Sequence, residues 1–583
     1  MTWTQVYDPF GAWWLSTLVA ALPIVVLLGL VAVARLRPHV AAAAGAASAL
    51  LVACVAFQMP WKLGVASFLF GAAFGLLRIA WIVVCAVFLY DVSVKTGQFD
   101  IMKQSIAAIT PDRRLQVLLV AFCFGALIEG AAGFGAPVAI AGAFMIGLGF
   151  EPFHAAVLNL IANTAPVAWG AIGTPVHTLA AVSGLPESDV SATIGRILPI
   201  TAMIVPFWLI RSFVGWAETF EVLPAILVVG ISFASAQFLW SNKIDSNLVD
   251  IASAVTSLTA SVIFLRFWKP KRIWKFARDS AEAAEPADGR EIRADLDRGL
   301  AGATGAGVAA TTSAEAPIHT KTQIARAWMP FLLLSGFVLV WGLPGMKTAM
   351  NRWTMPAFET DGFSVPLLDR AVTRASPVVS KPSPERAKFE FNWLSATGTG
   401  CLFAGITAGL LLGLGLRDLT RIFWQTLKRM RTAVLAISFM LGLGYITRYS
   451  GMDAVLGLAF TRTGVLFPFF GTFLGWLGVA LTGSDTSSNA LFGGLQRITA
   501  EQLRLDPILM CAANSAGGVM GKMIDVQSIV VATAATNQVG NEGSILRHLI
   551  WHSIALASIV GIIVLIYSYV FPGGVPHGLT LAK

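Results

Sequence analysis

The chain has 583 residues, 56% of them hydrophobic and only 13% Asp, Glu, Lys or Arg, with a mean hydropathy of +0.73 and a formal charge of +9. An average soluble domain carries about 25% charged residues, so a chain this apolar could not cover a soluble surface. The basic residues cluster in loops between apolar runs, which excludes a nucleic-acid footprint and fits the positive-inside rule of membrane proteins.

The first apolar runs, Trp14–Ala34 and Val40–Phe57, are each long enough to cross a hydrocarbon core at about 20 residues per span. No Lys or Arg precedes Arg35, so the basic n-region of a signal peptide is missing. The first span is therefore expected to be retained, with the N-terminus periplasmic and Arg35, Arg37 and His39 inside. Val65–Val92 is the third span. Ser93–Leu115, with Lys95, Lys103, Arg113 and Arg114, is expected in the cytoplasm, and its amphipathic piece Phe99–Ile109 is predicted to lie on the membrane surface.

Val117–Phe150 is apolar for too long to be one span, and Gly125, Gly130, Gly133, Gly135 and Pro137 interrupt it. Lipid cannot replace the backbone hydrogen bonds lost at such a break, so the pattern predicts a helical hairpin with its tip in the protein interior. A second break follows at Gly173, Thr174 and Pro175. Lys269–Lys321 opens with Lys269, Lys271, Arg272, Lys275 and Arg278, then becomes rich in Ala, Glu, Gly and Thr. That composition cannot bury a core, and a cytoplasmic, largely disordered linker is expected. One span, Trp328–Leu343, separates it from the Pro- and charge-rich Lys347–Lys388, expected as a periplasmic loop. Phe391–Leu416 then returns to a basic cluster of Arg417, Arg421, Lys428, Arg429 and Arg431. The whole reads as an all-α polytopic membrane protein of about 12–14 crossing or re-entrant segments, counted at ~20 residues each. Its parts are an N-terminal membrane half (1–268), the linker (269–321) and a C-terminal membrane half (322–583).

The two halves share a pattern. GALIEGAAGFGAP, from Gly125, is followed by ANTAPVAWGAIGTP, from Ala162; GVALTGSDTSSNA, from Gly478, is followed by ANSAGGVMGKMID, from Ala513. Asn163 lines up with Asn514, Gly170 with Gly521 and Gly130 with Gly483. Paired interrupted segments in corresponding halves point to inverted repeats around a midplane site. In the second half the tip itself is polar: Ser484, Asp485, Thr486, Ser487, Ser488 and Asn489 stand in a row, and a water-filled cavity would give them partners.

Ionisable groups within such segments are costly and mark function. Glu129 stands alone among apolar residues and glycines and is the favoured proton carrier; Asp485 and Asp525 compete with it. Lys522 lies one helical turn from Asp525. The two either form an internal salt bridge, or Lys522 meets a substrate carboxylate while Asp525 modulates it. Asn163, Thr164, Asn514 and Ser515 sit at the second break of each repeat. With Thr174, Ser484, Thr486 and Ser487, they are candidate contacts to a small anion, alongside exposed helix N-termini. Interhelical hydrogen bonding is the competing role for the amides and hydroxyls. Arg78 either pairs with a carboxylate or snorkels. His177 either relays protons or is structural. His548 and His552 have zinc-protease spacing, but Leu549 stands where that motif needs Glu. The five cysteines show no CxxC pair and read as buried, reduced hydrophobes. No metal, cofactor, nucleic-acid or enzymatic constellation is present, and a receptor would not need ionisable residues at paired breaks.

FGALIEGAAGFGAPVAI (Phe124–Ile140), GTPV (Gly173–Val176), TGSDTSSNALFG (Thr482–Gly493) and the NSAGG and GKMIDVQSIVVA pieces of Asn514–Ala532 resemble landmarks of the L-lactate permease family. The resemblance runs nearly end to end, and the long motifs are specific. It implies a bacterial inner-membrane symporter taking up L-lactate, often also D-lactate and glycolate, with protons, and an elevator-like relative of other inverted-repeat carboxylate transporters. A sodium- or proton-coupled di- or tricarboxylate carrier is the alternative. That substrate should need more than one cationic contact, whereas the hairpins offer Lys522 and little else.

Overall fold

A computed structural model describes residues 2–576 apart from 33, 35, 134–135, 277–318, 355–362, 380, 390, 537 and 539–540. Among the described residues, 11 helices are long and apolar enough to cross a membrane, or up to 12 if the bent pair Pro152–Ala162 and Val167–Ser183 counts as one. The two longest, Trp61–Lys95 and Leu416–Ser450, have 35 residues each and pack along one another. Gly71 and Gly75 lay the backbone of the first directly on the Leu441 and Ile437 carbonyls of the second, the small-residue approach that drives helix association in lipid.

Each half then builds a hairpin, a broken helix and a long helix. The first hairpin runs Arg113–Ala131 and returns as Ala136–Gly147. The second runs Phe467–Thr482 and returns as Asp485–Leu503. The reversal of the first lies at Gly133 (φ +58°), one of the interrupting glycines of the sequence, three residues beyond Gly130, the one aligned there with Gly483. Gly130 itself is helical and packs against Asp250 and Ile251. Gly133 is the residue able to take the left-handed turn, and a side chain there would press into Ala171. Gly483 (φ +73°) plays the same part in the second hairpin, against Asp525 and Gln527. Gly133, not Gly130, is thus its structural counterpart. Gly135 lies outside the described residues.

The first broken helix bends by 66°. Ala171, Ile172 and Gly173 are all left-handed (φ 45°, 57° and 70°). For a β-branched residue such as Ile172 this is a genuine outlier, sustained by tight surroundings. The second broken helix is Pro507–Gly521, a 3-10 turn at Lys522–Ile524, then Val526–Ala535.

The hairpins enter from opposite faces. At the open end of the first, Arg113 donates its backbone N–H to the Trp274 carbonyl, and fully buried Arg114 binds Asp112, Glu221 and the Glu218 and Arg272 carbonyls. At the open end of the second, Arg497 donates to the Ser183 carbonyl and Gln502 to that of Pro377. Residues 183 and 218 flank the two ends of the helix Glu187–Phe213, about 40 Å long at 1.5 Å per residue.

Three expectations need adjusting. The amphipathic helix is Gln98–Ala107, but its apolar face (Phe99, Met102, Ile106) is buried on the protein, with Phe99 against Tyr90 and Phe124. The linker is docked as far as residue 276, Trp274 packing on Phe213; its expected disorder falls on 277–318, outside the described residues. The insertion after the Lys321–Gly342 helix is no open loop. Its strand Val372–Arg374 pairs with Ser383–Pro384 and with the N-terminal strand Trp3–Thr4. Glu385, 8% exposed, receives Arg374 at 2.7 Å and Arg448 at 3.1 Å. The chain start and the insertion form one cap on the face where the second hairpin opens.

Candidate substrate site

Both hairpin tips and both helix breaks meet at one cavity. It is lined by Glu129, Gly133, Thr174, Pro175, Gly483, Ser484, Asp485, Thr486 and Lys522, with Val167, Gly170 and Ala171. Nine sequence-derived candidates therefore come together. Among the described residues lining the cavity, Lys522 is the single cation.

Lys522 stands at the turn between the two pieces of its broken helix. It donates to the Gly483 carbonyl at 2.6 Å and pairs with Asp525 at 3.3 Å. The internal salt bridge, one of the two alternatives, is present, and the ammonium still lines the cavity. Asp525 also caps the following helix, accepting the Ser528 N–H at 2.7 Å. Asp485 opens the helix Asp485–Leu503. Its Oδ2 accepts from Ser515 at 2.5 Å and Asn489 at 3.2 Å, while Oδ1 is buried with no hydrogen-bond partner. Ser484 caps the same helix by accepting the Ser487 N–H at 3.3 Å. This helix N-terminus and that of the helix carrying Thr174 add partial positive charge beside Lys522.

Glu129, 4% exposed, lies across the cavity with Oε1 against the Cα of Gly170 and Oε2 without a partner. Lys522, Asp525 and Asn163 are its polar neighbours. Asn163 is buried beside it, outside normal hydrogen-bond geometry.

The remaining candidates fall outside this lining. Asn514 is locked between Asn489 and Gln496. Ser515 acts through Asp485, and Thr164 bonds the Ile161 carbonyl in its own helix. Gly173 packs on the Ser246 carbonyl. Ser487 faces an adjoining cavity that shares Ser484 and extends past Gln527 to Arg37 and His39. His177 is held by Glu187 at 2.9 Å and Asn247 at 2.8 Å in a polar cavity that also includes Arg78, Asp245 and Lys347. Arg78 lies over the Phe74 ring. His552 accepts from Trp208 beside His548, and among the described residues no group of His, Cys, Asp or Glu is arranged to hold a metal.

Sequence reasoning passed over Asp250. It is fully buried against Gly130, and neither carboxylate oxygen has a partner. Its position at the head of an apolar helix was the available signal.

A family model described as L-lactate permease matches residues 16–571. Glycolate permease GlcA of Escherichia coli (strain K12) is 45% identical over 576 residues, covering 98% of this chain and 99% of that protein. L-lactate permease of the same organism is 43% identical over 580 residues, covering 98% and 100%. L-lactate permease of Bacillus subtilis (strain 168) is 41% identical over 589 residues, covering 99% and 100%.

Proposed function

The chain belongs to the L-lactate permease family, and on that premise we propose that it carries a small 2-hydroxymonocarboxylate, L-lactate with D-lactate and glycolate, across the bacterial inner membrane together with a proton. The observation that carries this reading is the single-cation cavity between the two hairpin tips. One ammonium, two helix N-termini and a ring of hydroxyls suit one carboxylate and its neighbouring hydroxyl. A di- or tricarboxylate would leave further charge unmatched.

In this mechanism Lys522 turns from the Gly483 carbonyl to the substrate carboxylate, and the Ser484 and Thr486 hydroxyls and Thr174 orient the molecule. A monocarboxylate entering against an interior-negative potential is opposed by about 2.3 kcal/mol per 100 mV. Co-transport of a proton on Glu129 removes that opposition and draws on the pH gradient. Opposite-entry hairpins each cover the cavity from one face, which supports alternating access by movement of the hairpins and broken helices against the Trp61–Lys95 and Leu416–Ser450 pair. The adjoining cavity ending at Arg37 and His39 is the cytoplasmic route. The N-terminus and its cap are periplasmic, from the Lys/Arg bias of the opposite loops.

The test is purified protein in proteoliposomes. Labelled lactate should exchange by counterflow and accumulate under an imposed pH gradient, acid on the entry side. Accumulation driven by sodium instead, or no exchange of lactate or glycolate, overturns the reading.

A further inference from the structure

Beside the cavity, and not part of its lining, lies a second acid that the mechanism above leaves unused. Asp250 is 0% exposed, in the first turn of the helix Val249–Phe267. Its side chain packs on Gly130, the residue next to Glu129: a Cβ built on Gly130 would stand 2.9 Å from that of Asp250. Both Asp250 oxygens and Glu129 Oε2 lack hydrogen-bond partners.

Apart from the partial positive charge of its own helix N-terminus, the described surroundings offer Asp250 no side-chain counter-charge. The titratable group acting on Asp250 from the first hairpin is Glu129. The hairpin segment Val117–Phe124 has no charged residue. Lys243, on the packed helix Leu223–Lys243, and Arg266, on Asp250's own helix, are exposed at helix ends. In the preceding loop Asp245 binds Asn247, which also holds His177 of the first broken helix. An unpaired carboxylate in so dry a place is strongly disfavoured, whereas a carboxylic acid is not.

We propose that Asp250 is the reservoir of the coupled proton, with Glu129 as the port that connects it to the substrate cavity. This rests on the proton-symport reading. A hydronium ion reaching the cavity gives its proton to the Glu129 carboxylate and leaves as water. The proton then leaves Glu129 Oε2, which becomes a carboxylate, and bonds to an Asp250 Oδ, which becomes an acid; net charge is unchanged by the second step. Glu129 is then an anion beside Lys522, and the proton is stored away from the substrate. On the other face the transfer runs in reverse.

The experiment compares wild type, Asp250→Asn and Glu129→Gln in proteoliposomes, with infrared spectra of the same samples. Asp250→Asn should keep lactate counterflow within about three-fold, lose accumulation under an imposed pH gradient by at least ten-fold, and flatten the pH dependence of counterflow. The protonated-carboxyl absorption that remains in Glu129→Gln should shrink when Asp250→Asn is added, which separates Asp250 from the buried Asp485; an undiminished band in the folded double variant overturns the proposal. Wild-type accumulation by Asp250→Asn overturns the proposal. So does loss of counterflow in a monodisperse Asp250→Asn sample, or absence of any protonated-carboxyl band in Glu129→Gln. If wild type itself exchanges lactate but ignores the pH gradient, the symport reading fails instead.

Discussion

Asn489, in the second hairpin, donates its side-chain amide to the Pro175 carbonyl at 3.2 Å, joining residues 314 positions apart in sequence. The same amide reaches Asp485, and its oxygen accepts from Asn514 at 2.9 Å. One side chain thus fixes the second hairpin tip against the break of the first half. Asn489→Ala leaves several buried groups unpaired, at about 1–3 kcal/mol each. The expected result is a lower unfolding temperature in detergent and at least ten-fold slower counterflow. A variant with wild-type melting and exchange would show that the bond is incidental.

Lys522 should matter for binding more than for coupling. Lys522→Ala is expected to raise the KM for lactate at least ten-fold, and Lys522→Arg to do so less, because the guanidinium keeps the charge but not the compact ammonium that reaches the Gly483 carbonyl. Removing the cation also strands buried Asp525, so size-exclusion profiles must accompany the kinetics. Unaltered KM in a folded Lys522→Ala sample rules out the assigned role.

Glu129→Gln mimics a permanently protonated carrier. Exchange should survive while accumulation driven by a pH gradient is lost. Gly170→Ala tests the same group without touching it, since the added methyl would occupy the space held by Glu129 Oε1. Accumulation should fall with little change in lactate binding. Normal accumulation by Glu129→Gln would move the coupling role to an aspartate.

The cap gives a pH prediction. Burial alone would push the Glu385 carboxyl up, but Arg448 and Arg374 outweigh it and hold it below the usual carboxylate range. Its contribution to cap stability is therefore full above the ordinary value near ~4.3 and is lost as pH falls through the lower folded value. Proteolysis within the cap should be faster in Glu385→Gln than in wild type at pH 7, and the gap should close in acid below pH ~4. A gap that widens in acid contradicts the pairing.

Much of this was legible because glycine and polar residues are conspicuous in apolar sequence. Glu129, Asp485 and Lys522 stood out for that reason and do share a cavity. Asn163 and Asn514 were symmetric in sequence, yet only Asn514 is locked in hydrogen bonds, because Asn489 and Gln496 happen to face it. Asp250 escaped notice because it follows the polar run Asp245-Ser246-Asn247 and reads as the end of a loop. The cap was hidden for a different reason. Its strands are two or three residues long, too short for any periodicity, and the Arg448–Glu385 pair depends on contacts far apart in the chain.

The N-terminal strand of the cap sets an order of events during synthesis. Gln5 donates to the carbonyls of Arg448 and Tyr449, the first of these 443 residues downstream. At about 5–20 residues per second, the ribosome needs roughly 20 to 90 s to supply those partners. The strand partner Val372–Arg374 is made somewhat earlier, but the set of contacts that holds Trp3–Gln5 is incomplete until that interval ends. The cap can close only after the Leu416–Ser450 helix is inserted, so the Trp3–Gln5 segment is among the last parts to reach its final position.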